Sequence, residues 1–259
     1  MKDVLVLNGV EFDSRLMHCF GTPLNSIDSV NFAVKLIKES GTSFLTLYTH
    51  GDFDNFKSID DFPIGYAGLK FADIKNELDL GAYTILVNTN HALSTEEAVH
   101  KAKRGSELIG SKYIKLEVLN KKGTKPINNQ VLNAAKILIK EGYTVLPIID
   151  RFDISIAKEL EALGCACIRV LLSDICSGDG LKNPEFFQKV CESVSIPIIA
   201  EGGIRCPEDA YNTLALGASG VLVNSVMFSY KDPIEFIKSL KSSIAAGREA
   251  YLCNLKRSE

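Results

Sequence analysis

Residues 144–171, TVLPIIDRFDISIAKELEALGCACIRVL, hold one full period of the pattern that organises the chain. Thr144–Ile149 is a short β-branched run, Ile154–Leu163 has helical spacing and stops at Gly164, and Ala166–Leu171 is β-branched again. Strand, helix and strand within about thirty residues is the signature of a parallel βαβ unit. Reading outward gives further strands at Leu16–Phe20, Ser43–Tyr48, Thr84–Thr89, Tyr113–Leu119, Ile196–Glu201 and Gly220–Asn224, making eight. Helices fit between them at Ser26–Ser40, Ser94–Leu108, Asn128–Glu141, Asn183–Val194, Pro207–Leu216 and Asp232–Ala246, with small polar or acidic starts and glycine stops. Eight such units predict a single α/β domain, a (β/α)8 TIM-type barrel, rather than an open doubly wound sheet. Neither GxGxxG nor GxxxxGK[ST] follows the first strand, which weakens nucleotide-binding folds.

Two segments fall outside the rhythm. Residues 1–14 predict a hairpin, because Asn8-Gly9 between Val4–Leu7 and Val10–Phe12 tolerates the positive φ of a type I′ turn. Residues 49–80, with Gly51, Asp60-Asp61, Pro63 and Gly65, predict a long loop holding one short helix near Phe71–Glu77.

The 259 residues are 46% hydrophobic and 24% charged, enough to bury a sizeable core. With 29 Lys+Arg against 32 Asp+Glu, the chain lacks the positive excess of a nucleic-acid binder. The opening apolar run is too short for a secretory signal or membrane span, so a cytoplasmic location is expected. Seven cysteines without a CxxC pair argue against a disulfide framework, and four histidines without HxH or HExxH spacing argue against a metal site.

Barrel chemistry sits at the carboxyl ends of strands. In Tyr113–Leu119, alternation turns Ile114, Leu116 and Val118 toward the helices and leaves Lys115 and Glu117 inside. Desolvation lowers a lysine's pKa and frees the amine to attack a ketone carbon, so Lys115 is a candidate imine-forming nucleophile with Glu117 handling protons. The alternatives are an internal structural ion pair, or a strand whose facing is one residue out. Glu201 is placed for acid/base work, or is a rim charge. Gly202, Gly203, Asn224 and Ser225, after the seventh and eighth strands, suit a phosphate, although Gly202-Gly203 also fits a plain turn. The loop from Leu172 to Leu181, including Cys176, could close over a sugar phosphate or be a flexible connector. Arg151 and Arg205 are possible anion partners, or surface charges.

Lys115-Leu116-Glu117-Val118, Val87-Asn88-Thr89 followed by Thr95-Glu96-Glu97-Ala98-Val99, and Gly220–Ser225 together resemble the thiazole synthase family of bacterial thiamine biosynthesis. The resemblance extends through Phe12–Leu16, Gly21-Thr22, Val145-Leu146-Pro147, Ser177-Gly178, Gly180–Pro184 and Pro197–Ile199, from about residue 4 to 250. It implies a sulfur-transferring barrel enzyme, without cofactor, that joins 1-deoxy-D-xylulose 5-phosphate, dehydroglycine and the C-terminal thiocarboxylate of a small sulfur carrier protein. It further implies an imine at Lys115, proton transfer by Glu117, phosphate and sugar contacts at Gly202, Gly203, Asn224 and Ser225, a cover around Cys176, and a homo-oligomer.

Departures fall in the substrate-facing loops and in Thr49–Leu80, which looks longer than the family's and unlike it. Glu201 stands where the family has aspartate, Asn88-Thr89-Asn90-His91-Ala92 replaces Asn-Thr-Ala-Gly-Cys, and Leu172–Gly178 replaces Gly-Ser-Pro-Ile-Gly-Ser-Gly, adding Asp174 and Cys176. These leave three readings: a thiazole synthase, a paralogue passing sulfur to another ketose phosphate to give a thiosugar, or a sugar-phosphate-binding paralogue without turnover. An imine-type aldolase is a more distant fourth.

Overall fold

The computed structural model describes residues 3–19, 27–64, 69–150 and 153–257. A hairpin of β1 (Leu5–Leu7) and β2 (Val10–Phe12) precedes eight strands: β3 (Leu16–His18), β4 (Phe44–Tyr48), β5 (Thr84–Asn88), β6 (Tyr113–Leu116), β7 (Thr144–Ile149), β8 (Ile168–Leu171), β9 (Ile198–Glu201) and β10 (Gly220–Val223). Between and after them lie α1 (Ile27–Ser40), α2 (Phe71–Ile74), α3 (Thr95–Ile109), α4 (Asn128–Lys140), α5 (Ile154–Ala162), α6 (Pro184–Ser193), α7 (Pro207–Ala215) and α8 (Pro233–Arg257). The eight strands are parallel in the order β3-β10-β9-β8-β7-β6-β5-β4, a nearly closed (β/α)8 barrel. At the seam, side chains stand in for a ladder: the His18 N–H donates to Thr42 Oγ1 at 3.4 Å, and Cys19 Sγ lies 3.3 Å from Thr46 Oγ1.

Alternation along the strands separates two apolar layers. Ile114, Leu116 and Val118 pack outward with Val145, Val170 and Val221 beneath the helices. Leu86, Leu146, Ile199 and Leu222 pack inward around the barrel axis. The hairpin completes the inner layer from below. Leu5, Leu7 and Phe12 belong to it, Phe12 lies 4.5 Å from the Phe44 ring, and Asn8 Nδ2 donates to Thr144 Oγ1 at 3.2 Å. Phe44 and Thr144 begin β4 and β7, so the hairpin plugs the amino-terminal end. Its turn has the expected positive φ, 50° at Asn8 and 77° at Gly9.

The described parts of segment 49–80, residues 49–64 and 69–80, hold more secondary structure than a long loop. Short 3-10 turns at Phe53–Asn55, Ile59–Asp61, Lys75–Glu77 and Leu80–Ala82 surround α2. Phe53, Phe62 and Phe71 form a satellite core with Ile37, Leu45 and Leu47. The helix expected near Phe71–Glu77 is therefore one α turn continued by a 3-10 turn.

Helix α8 runs past the stop expected at Ala246. Gly247 marks a close crossing instead: a Cβ there would lie 2.4 Å from the Tyr211 carbonyl oxygen and 2.9 Å from Leu214 Cβ, both on α7. Strand β6 ends at Leu116 rather than Leu119, because the Glu117 N–H leaves the ladder to donate to Thr89 Oγ1 at 2.8 Å. Ser26, Gly21, Thr22, Gly65 and Arg151 lie outside the described residues. Among the described residues, no helix is long and apolar enough to cross a membrane.

Candidate active site

Four charged side chains meet inside the barrel toward its carboxyl-terminal mouth. Lys115 comes from β6, Glu117 from just beyond it, Arg169 from the middle of β8 and Glu201 from the end of β9; all four are buried. Lys115 Nζ contacts Glu117 Oε1 closely and lies 3.4 Å from Glu201 Oε1. Arg169 Nη1 reaches Glu201 Oε2 at 2.6 Å and Glu117 Oε1 at 3.2 Å. The rest of the guanidinium is satisfied by backbone: Nε donates to the Leu146 carbonyl at 2.9 Å and Nη2 to the Leu116 carbonyl at 2.7 Å. Two cations and two carboxylates thus alternate, each facing opposite charge, which is the condition for tolerating buried ions.

This arrangement corrects the expectation of a neutral lysine. Burial pulls the Lys115 pKa down and Arg169 adds to that, but Glu117 and Glu201 together outweigh both and hold it above its ordinary value. Burial likewise pushes Glu117 up, yet Lys115 and Arg169 prevail and hold its carboxyl below the usual range. At rest the site holds an ammonium between carboxylates, and a proton must leave Lys115 before it attacks a carbonyl.

The quartet opens on a cavity of about 620 Å³ lined by Lys115, Glu117, Glu201, Cys176, Gly202, Gly203, Asn224 and Ser225, so the structure gathers the three catalytic and five binding candidates read from the sequence. Gly202 and Gly203 have φ of 70° and 68°, the left-handed region that disfavours side chains. Space forbids one as well: a Cβ on Gly203 would fall 1.6 Å from Ser173 Oγ. The β8 loop arches over this wall, with Cys176 Sγ 3.7 Å from Ser225 Oγ. On its other side the Ile175 N–H donates to the Thr124 carbonyl at 3.0 Å, and Asp174 pairs with Lys125 at 3.4 Å. Asp174 therefore faces a compensating cation. Arg205 is spent on Asp209, 3.2 Å away, and does not line the cavity.

Arg169 is the residue that sequence reasoning missed. Its signal is a charged residue between Ile168 and Val170, on the inward face with Cys167.

A (β/α)8 barrel with a mouth-facing cavity over a buried lysine–carboxylate cluster has the form of a barrel enzyme. A family model described as thiazole biosynthesis protein ThiG matches residues 6–259. Thiazole synthase of Citrifermentans bemidjiense is 35% identical over 252 residues, covering 97% of this chain and 90% of that protein. That of Geobacter sulfurreducens is 34% identical over 251 residues, covering 96% and 90%. Among solved structures, the Amycolatopsis orientalis BexX/CysO complex superposes with a TM-score of 0.83 at 29% identity, covering 97% of each chain. The chain belongs to the thiazole synthase (ThiG) family of thiamine biosynthesis.

Proposed function

We propose that this protein forms the thiazole phosphate of thiamine from 1-deoxy-D-xylulose 5-phosphate, dehydroglycine and the thiocarboxylate of a small carrier protein, through an imine on Lys115. The observation that carries the proposal is the lysine held between two carboxylates at the floor of a cavity whose walls end in paired glycines. Glu117, in closest contact, takes the ammonium proton. The freed amine attacks the sugar ketone carbon, water leaves, and the resulting iminium acidifies the neighbouring carbon. Glu201, on the glycine side of the cavity, removes that carbon's proton, the carbonyl migrates along the sugar, and thiocarboxylate sulfur attacks it. Arg169 contacts both carboxyl groups and helps hold that of Glu117 below its ordinary pKa. The sugar's phosphate rests against Gly202, Gly203, Asn224 and Ser225, where backbone approaches without side-chain obstruction, and Cys176 covers it. The BexX/CysO complex supports a protein partner for this barrel.

A second reading keeps the imine and the sulfur donor and changes the acceptor to another ketose phosphate, yielding a thiosugar. It is favoured by Asn90, His91 and Cys176, which line the cavity and depart from the family pattern. Reconstitution with carrier thiocarboxylate, dehydroglycine and each ketose phosphate in turn, followed by mass spectrometry, separates the two. Thiazole phosphate from the deoxy sugar supports the first reading. A thiosugar from another ketose, with nothing from the deoxy sugar, replaces it by the second.

A further inference from the structure

Two polar atoms of cavity-lining residues have no hydrogen-bond partner although both residues are buried: Oδ1 of Asn88 and Nδ2 of Asn90. Only 1% of Asn88 and 2% of Asn90 is exposed. Asn88 ends β5 in register with Lys115. Asn90 stands one step nearer the mouth, at the level of Glu117, because Thr89 between them donates Oγ1–H to the Glu117 carbonyl and accepts the Glu117 N–H, both at 2.8 Å. The Asn90 amide has a fixed orientation. Its Oδ1 accepts the Thr49 N–H at 3.1 Å, a group that only donates, so the NH2 end is the one left over. The backbone is pinned as well: its carbonyl accepts from Lys101 Nζ at 2.9 Å, and Lys101 pairs with Glu97 at 3.0 Å. A buried donor held rigidly without an acceptor is unfavourable until something supplies one.

We propose that Asn90 determines sugar specificity: its Nδ2 donates to a hydroxyl oxygen on a carbon adjoining the one that joins Lys115, while Asn88 Oδ1 accepts a hydroxyl proton from the same sugar. The assignment rests on the imine at Lys115. One orphaned donor beside one orphaned acceptor matches hydroxyl groups, which both give and receive, and the Asn88–Lys115 register puts them next to the reacting carbon. The family motif quoted above has alanine at this position, so the donor belongs to this chain's own selection of substrate. The ligand class is a ketose phosphate hydroxylated beside its carbonyl.

The test uses borohydride trapping on the intact protein with 1-deoxy-D-xylulose 5-phosphate and with D-xylulose 5-phosphate, which differ in one hydroxyl beside the carbonyl. Wild type is compared with Asn90→Ala and Asn90→Asp. Both variants keep the Thr49 N–H satisfied, the first through the Asn88 carbonyl at 3.3 Å and the second through a carboxylate oxygen. The half-saturating sugar concentration is expected to rise about fivefold or more in each variant, with Lys115 still modified at saturation. A rise with D-xylulose 5-phosphate alone assigns the bond to the extra hydroxyl and supports the proposal; an equal rise with both sugars assigns it to the shared hydroxyl and overturns Asn90 as the residue that discriminates between them. Unchanged half-saturation with both sugars overturns it. No Lys115 adduct in the wild type with either sugar overturns the imine reading itself, a distinguishable failure.

Discussion

Arg169 sets the protonation of the site without standing at the cavity surface. It depresses the pKa of Lys115 and of Glu117 alike, so its removal raises both. In Arg169→Met, two carboxylates share one ammonium. The pH profile of adduct formation is expected to move to higher pH on both limbs, and stability in urea to fall by about 3–5 kcal/mol, as when one partner of a buried ion network is removed. An unshifted profile would detach Arg169 from the proton chemistry. In the wild type, the Glu117 contribution to stability is complete above its ordinary value of 4.5 and is lost as pH falls through the lower folded value. The Lys115 contribution is complete below 10.5 and is lost as pH rises through the higher folded value. Between those limits these two contributions are constant, which urea midpoints measured from pH 5 to 9 check. Lys115 and Glu117 were legible in the sequence because period-2 alternation turns both inward. The charge state of Lys115 was not, because it depends on Glu201 and Arg169, brought in from strands distant in sequence.

Among the elements, α8 gives the sharpest contrast between local propensity and packing. Glycine is a poor helix former, so Gly247→Ala in isolation would stabilise by about 1 kcal/mol. The crossing with α7 reverses the sign, since the added methyl would sit 2.4 Å from the Tyr211 carbonyl oxygen. The variant is expected to lose about 1–3 kcal/mol, the range for overpacking, read as a lower urea midpoint. Unchanged or raised stability would mean the two helices separate freely. Glycine as a helix stop is a sound local rule at Gly110, whose φ is 76°. At Gly247 it fails because helix contact, invisible in a single sequence, decides the residue. Strand and helix order was readable because each βα unit carries its own periodicity and caps. The internal order of 49–80 was not, since its phenylalanines bury against α1 and β4 rather than against a regular repeat of their own.

For the whole molecule, the two ends of the barrel divide the labour. The amino-terminal end is closed by the hairpin, whose Leu7 is completely buried in the inner layer. Leu7→Ala is expected to destabilise the fold by about 2–5 kcal/mol while leaving Lys115 reactive at permissive temperature, because the cavity is distant from the space created. The Tm and the adduct yield report the two effects separately. The carboxyl-terminal end holds the charged quartet, the glycine wall and the loops that have drifted from the family pattern. The charged cluster and the scaffold's plug are thereby kept at opposite ends, the arrangement that lets barrel loops vary without disturbing the core. The most direct measurement is reduction with borohydride in the presence of saturating 1-deoxy-D-xylulose 5-phosphate, followed by peptide mapping. A sugar phosphate adduct on Lys115, abolished in Lys115→Ala, is the predicted result; a fully unmodified Lys115 in the folded wild-type protein would contradict the account.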